Sequence, residues 1–229
     1  ATLVMAGLVI LLALPFLFGP AAKTVVQTRD HLPSIRNALK RREVRTGLLV
    51  AAVYVAAQKW GLAMLGPFLV DYGFDLATIG ALNGVGSMII GFAGALLGGT
   101  LVRLYGASRV LLVAIFVQTA LLCVFAYFSV HRDVSQWVVM AVAVASSSGI
   151  MSIGFVALYA CFMGWSDPRQ AGVDFTLFQC MDGIVSMAGG LGAGAIAEKF
   201  GYQASFALAA IVSVLAAPVI FLLMRRQNS

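Results

Sequence analysis

Lys59 and Asp182 are the two residues of this 229-residue chain whose types and settings point most directly to chemistry. Each stands inside an apolar run, Lys59 in residues 48–70 and Asp182 in residues 175–197. A charge at mid-bilayer costs at least about 2.5–3.5 kcal/mol on insertion scales, so such a residue is first read as functional. An ammonium there can hold an anionic part of a solute, such as a carboxylate. A desolvated carboxyl can take up and return a proton as its surroundings change. The plain alternatives are an ion pair between the two, or a carboxylate held by helix N-termini.

Polar neighbours accompany both. Tyr54 and Gln58 are i,i+4 on one helical face. Lys59 lies about a hundred degrees round from Gln58, on a face otherwise made of Ala52, Ala56, Ala63 and Gly66. Gln179, Asp182 and Ser186 share a stripe, Asn83 and Ser87 share another, and Ser146, Ser147 and Ser148 interrupt a third run. The candidate substrate-binding residues are therefore Lys59, Gln58, Tyr54, Asn83, Ser87 and Gln179, and the candidate proton-coupling acid is Asp182. Gln118 stands apart and is read as structural. Asp167, Arg169 and Asp174 sit where the run 175–197 begins. Asp174 reads plainly as a charge near a helix N-terminus. The sharper reading makes the three a cytoplasmic gate.

These residues need elements to hold them, and composition limits which. The chain is 61% hydrophobic and 10% charged, against about a quarter charged in a soluble domain. Runs of about 20 apolar residues match the thickness of a bilayer as helices. Spanning segments must be helices or closed barrels, and these runs do not alternate as barrel strands do. The expectation is seven spans, at residues 3–18, 48–70, 78–101, 110–130, 137–164, 175–197 and 204–224.

The net charge of +6 does not point to nucleic acid, because the basic residues lie between the apolar runs. Cys123, Cys161 and Cys180 fall inside apolar runs and read as small buried side chains, and His31 and His131 have no ligand partners nearby. No metal, no cofactor and no enzymatic constellation is expected.

Lys and Arg placement gives the orientation. With a cytoplasmic C-terminus, the inside connections hold Lys23, Arg29, Arg36, Lys40, Arg41, Arg42, Arg45, Arg103, Arg109, Arg169, Arg225 and Arg226. The outside connections hold Arg132 and Lys199, so the bias is twelve to two. The first run lacks a basic n-region and a cleavage site, and it begins Ala-Thr rather than Met. It reads as a helix cut from a longer chain. The expected organisation is residues 1–20 as the last helix of a missing N-terminal half, 21–46 as a basic cytoplasmic loop, and 47–229 as a six-helix bundle. A short amphipathic helix over 34–45 either lies on anionic lipid or is a solvated linker.

A shift of 95 positions places Gly94 on Gly189, Gly99 on Gly194, Tyr105 on Phe200 and Gly106 on Gly201. The shift crosses three spans, so the two copies point in opposite directions. Inverted repeats of three helices are a transporter pattern. The pairs Gly80–Gly84, Gly94–Gly98 and Gly190–Gly194 are spaced to let helix backbones approach closely.

The stretch Gly99-Thr-Leu-Val-Arg103-Leu-Tyr-Gly106-Ala-Ser-Arg109 resembles the signature loop of major-facilitator transporters. Both glycines and the final base Arg109 are kept. Arg103 stands at the acid position, Leu104 and Ser108 at two base positions. The segment Ser166-Asp-Pro-Arg-Gln-Ala-Gly-Val-Asp-Phe-Thr-Leu-Phe-Gln179 resembles the loop before the eleventh span of AmpG-like permeases, closest to their siderophore-importing branch. Val173 departs from the usual Thr. The resemblance covers about residues 47–224. It implies an all-α polytopic membrane protein whose last six helices form the C-terminal bundle of a major-facilitator fold. It further implies a multi-pass permease of the inner membrane that imports a medium-sized solute, a siderophore or a muropeptide, by proton symport and alternating access. A seven-helix receptor or sensor shares the span count, but it predicts neither the repeat nor a long basic first loop.

Overall fold

A computed structural model of the chain describes Gly7 and residues 34–227. The chain divides into two compact units, 1–32 and 33–229, and residues 34–227 all belong to the second. The expected first span, 3–18, and Lys23 and Arg29 of the basic loop lie outside the described residues.

Five helical runs are long and apolar enough to cross a membrane: Arg42–Asp71, Leu76–Tyr105, Ala107–Val130, Gln136–Trp165 and Ala171–Arg225. The last is two helices. Gly201, at φ 82° and ψ 172°, breaks it into 171–200 and 202–227. Ser205 Oγ donates to the Ala193 carbonyl at 3.4 Å. Twelve helical residues would span about 18 Å, so the chain must fold back at Gly201. The described residues thus carry six spans, the second to the seventh of the sequence reading.

Interruptions inside the spans have local causes. The second span pauses at Ala63–Met64 and resumes as Leu65–Asp71. Pro67 is the third residue of that new helix, where an N–H would lack an intrahelical partner anyway. The third span contains a π-helical segment at Leu82–Gly86, the fifth another at Ala145–Ile150. The latter holds the Ser146–Ser148 run. The expected amphipathic helix over 34–45 is shorter than that: Ile35–Lys40 is helical, Arg41 is extended (φ −71°, ψ 133°), and Arg42 opens the second span. At this break the Arg41 side chain donates to Asp174 at 2.6 Å.

Contacts fix the directions. Gly47 meets Phe178, Lys59 meets Asp182 and Trp60 meets Gly192, so the second and sixth spans run parallel. Thr119 Oγ1 donates to Ser213 Oγ at 2.8 Å, and Leu112 lies with Phe221 and Met224, so the fourth and seventh are antiparallel. One end of the bundle therefore gathers Arg36, Lys40, Arg41, Arg42, Arg45, Arg103, Arg109, Arg169 and Arg225. At the opposite end Arg132 Nη1 donates to the Asp71 carbonyl (2.9 Å), Tyr202 Oη to Asp71 Oδ2 (2.7 Å) and Tyr72 Oη to the Val134 carbonyl (2.7 Å).

The core has two apolar clusters. One is built around Phe162, Phe178, Leu158 and Ile115, the other around Phe68, Phe125, Phe206 and Leu122. Large apolar side chains such as Met88, Phe92, Leu96 and Leu104 point outward from the third span. A Cβ on Gly94 would lie 2.8 Å from the Gly149 carbonyl oxygen, and one on Gly98 3.0 Å from Ile153 Cα. This pair lets the third and fifth spans touch at backbone distance. Gly80 and Gly84 have nothing so close and do no such work. Cys161 is buried as expected; Cys123 and Cys180 instead face outward from the bundle, since an apolar run in a membrane has a lipid face as well as a core face.

Candidate transport site

Lys59 and Asp182 meet. Lys59 Nζ donates to Asp182 Oδ1 at 2.6 Å, and Ser186 Oγ donates to the same oxygen at 2.9 Å. The Lys59 ammonium also stands 4.9 Å from the Phe155 ring centroid, within reach of a cation–π attraction. The Lys59 side chain is 27% exposed and that of Asp182 10%, so the pair is shielded but not sealed. Its placement follows from helix geometry. Ala52, Ala56, Ala63 and Gly66 keep the face around Lys59 low, and Ser186 sits one turn beyond Asp182. A charge-assisted bond of this length is strong, but breaking one partner of a buried pair exposes the desolvation cost of the other.

Tyr54 and Gln58 lie behind this pair. Gln58 Nε2 donates to Tyr54 Oη at 3.1 Å, and neither residue has exposed surface. Tyr54 presses against Gly154, where any Cβ would overlap its hydroxyl, and meets Phe155 edge-on at 6.0 Å. The two expected substrate ligands are thus core residues in this conformation. Tyr54 packs against Phe155, which in turn faces Lys59. Gln58 Oε1 is buried with no partner among the described residues.

Asn83 lines a separate cavity of about 160 Å³ with Leu62, Leu65, Gly66, Leu69, Ile79, Ala143, Val144 and Ser147. Asn83 comes from the π segment of the third span and Ser147 from that of the fifth. Both interruptions therefore deliver a polar side chain to one space, as π segments often do at functional positions. Ser87 and Gln179 are half-buried, and neither side chain has a hydrogen-bond partner among the described residues.

At the basic end Asp174 is fully buried. Its Oδ2 accepts from Arg41 Nη1 (2.6 Å) and from the Asp167 N–H (2.9 Å), and its Oδ1 from Gln170 Nε2 (3.2 Å). Arg41 Nη2 reaches the Trp165 carbonyl at 3.3 Å, and Asp167 Oδ2 lies 4.0 Å from Arg41. Asp167 Oδ1 accepts from the Arg169 N–H at 2.9 Å. The expected gate residues are here a lock between the linker and the loop before the sixth span. Arg41 was invisible as a site residue, because its partner lies 133 positions away.

In the loop Gly99–Arg109, Gly106 has φ 84° and ψ 147°. Its repeat mate Gly201 has nearly the same conformation. This region is essentially open only to glycine. Each of the two ends one helix and starts the next with no intervening loop. Arg103 and Arg109 are exposed, and Gly99 has open space around it.

The profile of the Major Facilitator Superfamily matches residues 48–229. No solved structure matches the chain. Six described spans, a glycine turn repeated with opposite direction, and a shielded lysine–aspartate pair accompany that match over most of the sequence, and the chain belongs to the Major Facilitator Superfamily of membrane transporters.

Proposed function

We propose that the chain is the C-terminal half of a secondary active transporter that imports a medium-sized solute, an iron–siderophore complex, across the inner membrane by alternating access and proton symport. The observation that carries this reading is the Lys59–Asp182 pair at 2.6 Å. Proton uptake by Asp182 removes the charge that holds Lys59. The freed ammonium can then bind the anionic part of the solute, and Ser186 and the Phe155 ring keep both groups in register. Asn83 and Ser147 supply hydrogen-bonding positions in the neighbouring cavity. The basic end faces the cytoplasm, following the distribution of Lys and Arg. A preceding six-helix half completes the central pathway.

The test is uptake by the full-length protein in proteoliposomes under an inward proton gradient. Ferric siderophore is expected to accumulate and anhydro-muropeptide is not; the reverse result would reassign the substrate to muropeptide. Lys59→Ala should weaken solute binding about tenfold or more, the loss expected for a hydrogen bond to a charged group. Unchanged affinity in both Lys59→Ala and Lys59→Arg would remove Lys59 from the binding site. Asp182→Asn should still exchange solute yet fail to accumulate it, and accumulation by that variant would exclude a coupling role.

A further inference from the structure

The fourth and seventh spans leave a cleft at the basic end that shares no residue with the Lys59–Asp182 pair or the Asn83 cavity. Ser108, Arg109, Leu112, Phe221, Met224 and Arg225 line it, with a volume of about 250 Å³. Its floor is apolar and its rim carries two guanidinium groups from different spans. Arg109 also closes the top of a second space, an apolar groove of about 380 Å³ whose walls include Tyr105, Val113, Val117 and Ile153. Val117 lies eight residues beyond Arg109, about 12 Å along the helix, and half the hydrocarbon core is about 15 Å deep. The groove therefore descends through most of one leaflet from Arg109, the residue it shares with the cleft that Arg225 also lines. Val113 is 61% exposed and Phe221 50% exposed, so both spaces open outward from the bundle. Among the described residues the Arg109 side chain has no hydrogen-bond or ion-pair partner.

We propose that this cleft and groove form a binding site for one anionic phospholipid. Arg109 and Arg225 hold its phosphate, with Ser108 as a hydroxyl donor, and one acyl chain lies in the groove between Tyr105 and Val117. Guanidinium groups match phosphate oxygens in fork geometry, and basic pockets between spans are where anionic headgroups settle. A soluble phosphate would leave the apolar groove unfilled, and a lipid without net charge would leave Arg109 uncompensated. The lipid pins the fourth span against the seventh at the end where the Gly106 turn enters the fourth.

The experiment is native mass spectrometry of the full-length protein, titrated with palmitoyl-oleoyl phosphatidylglycerol, with phosphatidylcholine of the same chains, and with glycerol 3-phosphate. Phosphatidylglycerol should bind at least tenfold tighter than phosphatidylcholine. Arg109→Ala and Arg225→Ala should each weaken it roughly fivefold, and the double variant about thirtyfold, as expected for one basic side chain at a time. Arg45→Ala, which removes an exposed charge outside the cleft, should leave the affinity unchanged. Val113→Trp, which fills the groove without altering charge, should weaken both lipids. The glutamine variants Arg109→Gln and Arg225→Gln stand in if an alanine variant does not fold. Equal binding of the two lipids, full retention by the double arginine variant, or competition by glycerol 3-phosphate as strong as that of the lipid would each overturn the proposal.

Discussion

At the scale of the residue, Asp182 takes two hydrogen bonds on one oxygen and is almost closed off from solvent. Truncating Lys59 alone leaves that carboxylate buried and unpaired. Lys59→Ala should therefore lower stability by about 3–5 kcal/mol, whereas the double variant Lys59→Met with Asp182→Leu should recover most of the loss. Thermal unfolding in detergent reads both, and equal losses in the single and double variants would show that the pair contributes by packing alone. The sequence supplied both residues, because a charge in an apolar run is conspicuous. It left open whether they touch. It also placed Tyr54 and Gln58 with Lys59 among substrate ligands, since neighbours in sequence look like neighbours in a site. The structure buries their face, which is turned away from that of Lys59, in the core, with Tyr54 against Gly154.

At the scale of the element, the two glycine turns are the points where a side chain is least tolerated. Gly106→Ala and Gly201→Ala should each destabilise by roughly 1–3 kcal/mol, because both hold a backbone conformation that excludes Cβ. The melting temperatures of the two variants check this, and wild-type values would mean that the turns relax freely. Asp75 marks the start of the third span. The Thr78 hydroxyl and then its backbone N–H hold the Asp75 carboxyl below its ordinary value of 3.8. A group with a depressed folded pKa stabilises above its unfolded value and loses that contribution as pH falls through the folded one. Amide exchange near Ile79 should thus be slower in wild type than in Asp75→Ala at neutral pH. The difference should vanish once pH falls below the folded value, itself under 3.8. A difference that persists there would assign the effect to packing. The repeat was legible at this scale because glycine at a forced turn is written in the sequence itself. The π segments were not, as nothing in Leu82–Gly86 or Ala145–Ile150 distinguishes one extra residue per turn from an ordinary helix.

At the scale of the whole molecule, the antiparallel succession of spans collects nine basic residues at one end of the described bundle and leaves Arg132 and Lys199 at the other. If the basic end is cytoplasmic, a single cysteine at Asp133 should react with a membrane-impermeant maleimide added to intact spheroplasts. One at Arg103 should react only after lysis. This requires a background in which Cys123, Cys161 and Cys180 are alanine, and the opposite labelling pattern would invert the topology. The sequence by itself determined the class of this protein. Hydrocarbon leaves a chain of long apolar runs no stable form but spanning helices, and the charges between the runs order their ends. The tertiary structure decided which polar groups meet. Lys59 finds Asp182 across 123 positions and Arg41 finds Asp174 across 133. Such meetings depend on how each helix is rotated and tilted against its neighbour, and that is set by the packing of entire faces rather than by the local order of residues. Lys59 and Asp182 were candidates as soon as the chain was read; only the parallel packing of the second and sixth spans made them one site.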